Sequence, residues 1–260
     1  PLFVLAGNIM TQGEIAKRLI RLATAITMPI PSGLAIAAVL SCAIFAAISG
    51  SSPVTLIAVG SILYPALLKE GYSKDVSMGM LSAGGTLGII IPPSIPMIIF
   101  AIMASVSVTD LFKAGIGPGI VLTVLLIFYA ILRRPINTSK KKLDLAELVS
   151  AFKAGILSLA MPGVILGGIY TGFFTATESA AVAVAYAFIV ELLFHRELSI
   201  RKIPPLLVDT AEMLGTLFLI LVLAVSLNKF MTYQMIPQSL VELLSNMITS
   251  KLGFLLGVNV

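Results

Sequence analysis

Two uncharged stretches hold the residue types that could coordinate an ion. The first is SGSSPVT, residues 49–55, which gathers the hydroxyls of Ser49, Ser51, Ser52 and Thr55 beside Gly50. Glycine permits close backbone approach, and each hydroxyl can accept or donate. The second is GGTLGIIIPPSIPMIIF, residues 84–100, where Gly84, Gly85 and Gly88 precede Pro92, Pro93 and Pro96. Proline removes a backbone donor and clashes with the preceding turn, so a helix here must break between Gly88 and Pro93. The break frees carbonyl oxygens at the end of one half-helix and amide groups at the start of the next, near Ser94. Carbonyls and helix C-termini suit a hard cation such as Na+, whereas helix N-termini suit a carboxylate. The cation set expected from these stretches is Ser49, Gly50, Ser51, Ser52, Gly85, Thr86 and Gly88. The set expected near a carboxylate is Ser52, Pro93 and Ser94. Taken singly, either stretch reads as a kinked or glycine-packed helix; two broken segments in succession read as a site.

The other reactive side chains are sparse. Thr175 with Glu178 three residues later reads as a capping box, although an acid there could also lie on an ion path. Asp209 and Glu212 read as interfacial, and the single histidine, His195 in FHRELSIRK, reads as a solvated loop residue. Gly163, Gly167, Gly168 and Gly172 read as helix packing. One cysteine, Cys42, gives no disulfide framework and no thiol metal site. No nucleotide loop, metal cluster, nucleophile elbow or dinucleotide fingerprint is present, which argues against an enzyme.

These residues must be positioned by membrane helices. The chain of 260 residues is 58% hydrophobic and 11% charged, with mean hydropathy +1.07; a soluble domain would carry about a quarter charged residues. The expected fold is therefore an all-α polytopic membrane protein. Residues 1–10 read as the end of a span, and 14–28 as an interfacial amphipathic helix with Lys17, Arg18 and Arg21 on one face. No charge occurs between Arg21 and Lys69. The arms at 34–48 and 54–68 have about 15 residues each, short of the ~20 that cross a bilayer, so 34–68 reads as a re-entrant hairpin with its tip at 49–53. A broken helix at 77–104 and a span at 114–132 follow. Residues 133–153 read as a cytoplasmic linker. Further spans fall at 154–173, 178–194 and 203–227, an amphipathic helix at 232–248 and the start of a last span at 252–260. With the hairpin base on one side, only Lys113, Lys229 and Lys251 of the 17 Lys and Arg lie opposite, which makes that base cytoplasmic. The positive charge, +5, thus reads as topology rather than nucleic-acid binding; the basic loop 133–142 can also touch anionic lipid heads. PLFVLAG has no basic n-region and no cleavage site, so it does not read as a signal peptide. Both ends fall in apolar runs, so the chain reads as a fragment.

An internal repeat is visible when 7–19 (GNIMTQGEIAKRL) is laid on 228–240 (NKFMTYQMIPQSL): Met10, Thr11, Ile15 and Leu19 meet Met231, Thr232, Ile236 and Leu240. Each copy runs from a span into an amphipathic helix, and by the crossing count the two lie on opposite sides. Inverted repeats of this kind are typical of secondary transporters. Residues 1–132 then form a first repeat, and 154–260 the start of a second, truncated before its hairpin.

PLFVLAGNIM, AAISGSSPVTLIAVGSILYPALLKEGY, IIPPSIPMIIF and GFFTATESAAVAVAYA together resemble the large membrane subunit of tripartite ATP-independent periplasmic (TRAP) transporters, over essentially the whole chain. The resemblance implies an inverted-repeat elevator-type transporter of the bacterial inner membrane. It implies Na+-driven uptake of a small organic carboxylate, such as a C4-dicarboxylate or sialic acid, with no cofactor beyond Na+ as coupling ion. It implies two partners, a small membrane subunit and a periplasmic substrate-binding protein. It places one ion-binding half at Ser49–Pro53 and Gly85–Ser94. Two departures stand out: the family hairpin often has an acid where Thr55 stands, and the proline of its FTPTEAA pattern is Ala176 here. The alternative is a channel-like or structural subunit of another membrane complex. Cysteine at Ser139, in the linker, is expected to resist an impermeant thiol reagent in intact cells; labelling there would overturn the orientation.

Overall fold

Five helix starts among the described residues are set by small polar side chains. Ser73, Ser94, Ser107, Asp144 and Thr175 each stand before a helix and accept a hydrogen bond from a backbone N–H of its first turn. Those first-turn donors have no carbonyl within their own helix. The computed structural model describes residues 1–135, 144–247, 250 and 253. It is 84% helical, with no strand among the described residues. Residues 136–143 of the expected linker and, apart from residue 253, the expected last span at 252–260 lie outside them.

The helices are α1 (Leu2–Gln12), α2 (Ile15–Thr27), α3 (Gly33–Ser49), α4 (Ser52–Lys69), α5 (Lys74–Ile90), α6 (Ile95–Ala104), α7 (Val108–Leu132), α8 (Leu145–Tyr170), α9 (Ala176–Ile189), α10 (Ile203–Tyr233) and α11 (Ile236–Met247). A π-helical turn, Val190–His195, extends α9. Five helices are long and apolar enough to cross a membrane, and α5 with α6, bent by 41° at their junction, make a sixth segment of that kind. The protein is an all-α, multi-pass membrane protein.

Two units are distinct, residues 1–210 and 211–260. In the first, α3 and α4 form a hairpin against which α5 packs, α2 lies along α3 and α8, and α1 packs on α9. The second contains the later part of α10, a turn at Gln234–Met235, and α11.

Several boundaries differ from the sequence expectation; α7, for example, begins at Val108 rather than 114, where Ser107 caps it. The hairpin arms are 17 and 18 residues long, because Ser49 closes the last turn of α3 and Ser52 and Pro53 open the first turn of α4. Only Gly50 and Ser51 remain outside helix, and Gly50 reverses the chain with φ +60°. α8 begins at Leu145, inside the expected 133–153 linker, because Asp144 caps it by accepting from Ala146 and Glu147 N–H. α10 continues to Tyr233, past the expected end of the 203–227 span.

The basic face of α2 is also used differently from the expectation. Arg18 donates to the Ala154 carbonyl of α8 at 3.2 Å. Arg21 grips both Glu147 oxygens at 2.7 and 2.8 Å and reaches Ser150. Lys17 bonds Glu14, whose carboxylate raises the pKa of the ammonium. Two of the three cations therefore fasten α2 to α8. A bidentate guanidinium–carboxylate pair is the geometry that makes an exposed ion pair count.

Candidate functional site

The glycines of α5 place its C-terminal end in the groove of the hairpin. A Cβ on Gly84 would fall 2.9 Å from Cys42 Sγ of α3, and one on Gly85 would fall 3.2 Å from Leu56 Cβ of α4. One turn later, a Cβ on Gly88 would fall 2.8 Å from the carbonyl carbon and oxygen of Ser51. Packing and site are thus not alternatives here: missing side chains at 84, 85 and 88 let the backbone of α5 reach the hairpin tip.

The tip holds its own hydrogen-bond circuit. Thr55 Oγ1 donates to the Ser51 carbonyl at 2.8 Å. Ser49 Oγ lies 2.9 Å from Thr55 Oγ1. With the Thr55 hydrogen on the Ser51 carbonyl, the Ser49 hydrogen has two acceptors in reach, Thr55 Oγ1 and, at 3.4 Å, the Ser51 carbonyl. Ser51 N–H closes the loop on Ser49 Oγ at 3.4 Å. Ser49 and Thr55 are fully buried and Ser51 nearly so. The hydroxyls of Ser51 and Ser52 take no part in this circuit.

Facing the tip is the break between α5 and α6. Pro92 and Pro93 have no N–H for the carbonyls of Gly88 and Ile89, four residues back. Ser94 Oγ donates to the Ile89 carbonyl at 2.5 Å and accepts from Met97 N–H at 3.5 Å, so one hydroxyl staples the two half-helices. Ile95 N–H, the first amide of α6, donates to the Gly50 carbonyl at 3.0 Å. Behind the break stands α7, where a Cβ on Gly115 would fall 2.7 Å from the Ile90 carbonyl and one on Gly119 would fall 2.9 Å from the Ile91 side chain. The break is held between the hairpin tip and a glycine-bearing face of α7. Its amides are largely taken within the protein; what it offers is neutral carbonyl oxygen.

Of the residues expected from sequence, Ser49, Gly50, Ser51, Ser52, Gly85, Gly88, Pro93 and Ser94 come together at this contact. Thr86 does not join them. It is exposed, with its hydroxyl donated to the Ala83 carbonyl, because Gly85 and Gly88 share the hairpin-facing side and Thr86 is rotated by about 100° from its neighbour at 3.6 residues per turn. Among the described residues, no group of three or more His, Cys, Asp or Glu could hold a metal.

Elsewhere, Thr175 and Glu178 form the expected capping box: Thr175 N–H donates to Glu178 Oε2 at 2.8 Å and Glu178 N–H to Thr175 Oγ1 at 3.3 Å. Asp209 and Glu212 are exposed. Of the α8 glycines, Gly168 receives the Phe174 ring, whereas Gly163 and Gly167 face open space. His195 is not the solvated residue expected. Its side chain is 1% exposed and its Nδ1 lies 3.4 Å from Glu191 Oε2, because the π-helical turn carries the helix on through His195. Glu191 was missed in the sequence, although a lone acid within the apolar run AFIVELLF was the available signal.

A family model described as "Tripartite ATP-independent periplasmic transporter, DctM component" matches residues 1–260. The chain belongs to that family. Its members are transporter permeases rather than enzymes. The chain is 38% identical to the "C4-dicarboxylate TRAP transporter large permease protein DctM" of Rhodobacter capsulatus, over 100% of this chain and 63% of that protein. It is 36% identical to the "Ectoine TRAP transporter large permease protein TeaC" of Halomonas elongata, over 93% of this chain and 57% of that protein. It is 33% identical to the "Isethionate TRAP transporter permease protein DctMQ" of Oleidesulfovibrio alaskensis, over 100% of this chain and 41% of that protein. The chain thus spans less than two thirds of each of these TRAP permeases.

The tip contact yields a clean test in this TRAP permease segment. Alanine in a helix interior is intrinsically better than glycine by up to about 1 kcal/mol, yet Gly88→Ala places a methyl on the Ser51 carbonyl. The variant is expected to be less stable by about 1–3 kcal/mol, the usual cost of overpacking, seen as a lower thermal midpoint of the purified protein. Unchanged or raised stability would show that tip and break are not in contact.

Proposed function

We propose that this chain is part of the large permease subunit of a Na+-coupled uptake system for a small organic acid anion. It works in the bacterial inner membrane with a small membrane subunit and a periplasmic binding protein that delivers the substrate. The observation that carries the reading is the contact between an uncharged hydroxyl-rich tip and a proline-broken helix. Irregular backbone at membrane depth is tolerated where protein or a wet cavity satisfies it, and such places are where transporters hold ions and substrates. The carbonyl freed at Gly88 and the hydroxyls of Ser51 and Ser52 are neutral oxygens suited to Na+. The substrate's acid group is assigned to the same end of the hairpin, near Ser52, Pro93 and Ser94, with the Ser52 hydroxyl as the donor, since Pro93 has no N–H and the Ser94 hydroxyl is held by the Ile89 carbonyl. Relatives named for C4-dicarboxylate, ectoine and isethionate support a small acid-bearing solute, carboxylate or sulfonate.

The inverted repeat belongs to the same reading. In the alignment of 7–19 with 228–240, Gln12, the last residue of α1, falls on Tyr233, the last of α10. Ile15, the first of α2, falls on Ile236, the first of α11. The helix break thus recurs at the same register in both copies, which supports a duplicated span-and-arm unit.

Transport in proteoliposomes containing all partners tests the ion site. Loss of one ligand to a charged species costs about 1.5–3 kcal/mol, which is roughly a 10- to 150-fold loss of Na+ affinity. Ser52→Ala and Ser51→Ala are expected to need correspondingly more Na+ for half-maximal rate, whereas Thr86→Ala keeps the parental dependence. Parental Na+ dependence in both serine variants would place the ion elsewhere.

Glu178 separates a structural acid from an ion-path acid. Glutamine also completes a capping box, so Glu178→Gln is expected to retain most transport at normal expression. Loss of transport there would give the carboxylate charge a role of its own.

A further inference from the structure

We propose that Glu191 is a positioning residue: its buried carboxylate latches the elbow between α1 and α2 to the end of α9, and so fixes where the hairpin enters. Four observations converge on it. Glu191 is fully buried in the π-helical turn that follows α9. Each of its oxygens takes a backbone N–H from the start of α2, Oε1 from Ile15 at 2.8 Å and Oε2 from Glu14 at 3.1 Å. α2 has no side-chain cap of its own, so an acid from a helix more than 170 positions away in sequence replaces the local Ser, Thr or Asp that usually satisfies those donors. The carboxylate also occupies the space that a side chain at residue 13 would fill. Gly13 has φ −96° and ψ −164°, a conformation open to any residue, so its glycine serves the neighbour rather than the backbone.

The remaining contacts show what the latch holds. His195 Nδ1 stands 3.4 Å from Glu191 Oε2, and neither ring nitrogen has another partner. At its other end α2 is tied to the hairpin, where Thr27 Oγ1 donates to the Gly33 carbonyl at the first residue of α3. Along its length Arg18 and Arg21 fasten it to α8. The start of α2 is therefore held by α9, its flank by α8, and its end leads into the arm that carries the tip. A carboxylate is the group for this role because both of its oxygens accept. Glutamine offers one acceptor and turns an NH2 toward a backbone N–H.

Cysteine accessibility tests the latch without relying on transport, so its outcome is separate from that of the proposed function. In the intact permease carrying Cys42→Ala, a reporter Ala16→Cys sits on α2 where the native residue is 2% exposed. A second reporter, Ala183→Cys, sits in α9 where the native residue is fully buried. Glu191→Gln and Gly13→Ala are each expected to speed maleimide labelling at position 16 at least tenfold, equivalent to about 1.4 kcal/mol. The double variant should label no faster than either single one, since both break the same contact. Position 183 should stay protected throughout. Unchanged labelling at 16 in either variant overturns the latch. So do effects that multiply in the double variant, or equal opening at 183, which is general loosening. If Glu191→Gln does not reach the membrane, Gly13→Ala decides the matter by the same two reporters.

Discussion

A buried backbone that leaves the helix must find partners for the N–H and C=O groups it frees, and this constraint organises the contact between the hairpin and the broken helix. The hairpin reverses at Gly50 and the next helix breaks at Pro92–Pro93; one hydrogen bond joins the two irregularities, and each also closes on itself. The Gly50 carbonyl takes the Ile95 amide, Ser94 takes the Ile89 carbonyl, and Ser49 and Thr55 close on Ser51. Without that bridge the Gly50 carbonyl and the Ile95 amide would be stranded, at a cost of about 1–3 kcal/mol each. Gly88 and Gly115 serve the same contact, since they let the Ser51 and Ile90 carbonyls lie against a facing helix.

Much of this was legible because glycine and proline act locally. Their positions announced the break, the reversal and the close approach, and the charge-free runs announced the membrane. Thr175 and Glu178 are three residues apart, so their reciprocal cap could be read from spacing alone. What spacing could not show is which side of a helix faces a partner that lies elsewhere in the chain. Thr86 sits between two hairpin-facing glycines in sequence, yet rotation sends it outward. Ser94 has the right chemistry for a ligand but spends its hydroxyl on the staple, a use that depends on the bend bringing Ile89 and Met97 to the same atom.

The most distant contacts were the least legible. Arg18, Arg21 and Lys17 form a basic stripe that would suit lipid headgroups. Only the fold shows that Glu147 and the Ala154 carbonyl stand opposite two of them. Glu191 meets Gly13 across most of the first unit, and no local pattern joins them. His195 then follows Glu191 inward by one helical turn. These contacts depend on which helices become neighbours, and hydrophobic periodicity leaves that open.

The tip and the break also share an electrical property. No charged residue lies between Arg21 and Lys69, or between Asp75 and Asp110. A monovalent cation cradled there by neutral oxygens would have no side-chain carboxylate from these stretches to cancel its charge. Carrying that cradle through the field of an energised membrane would do work of about 2.3 kcal/mol per 100 mV for each charge. A cradle built without acids would thus expose to the membrane voltage the net charge of its load, cation and anion together.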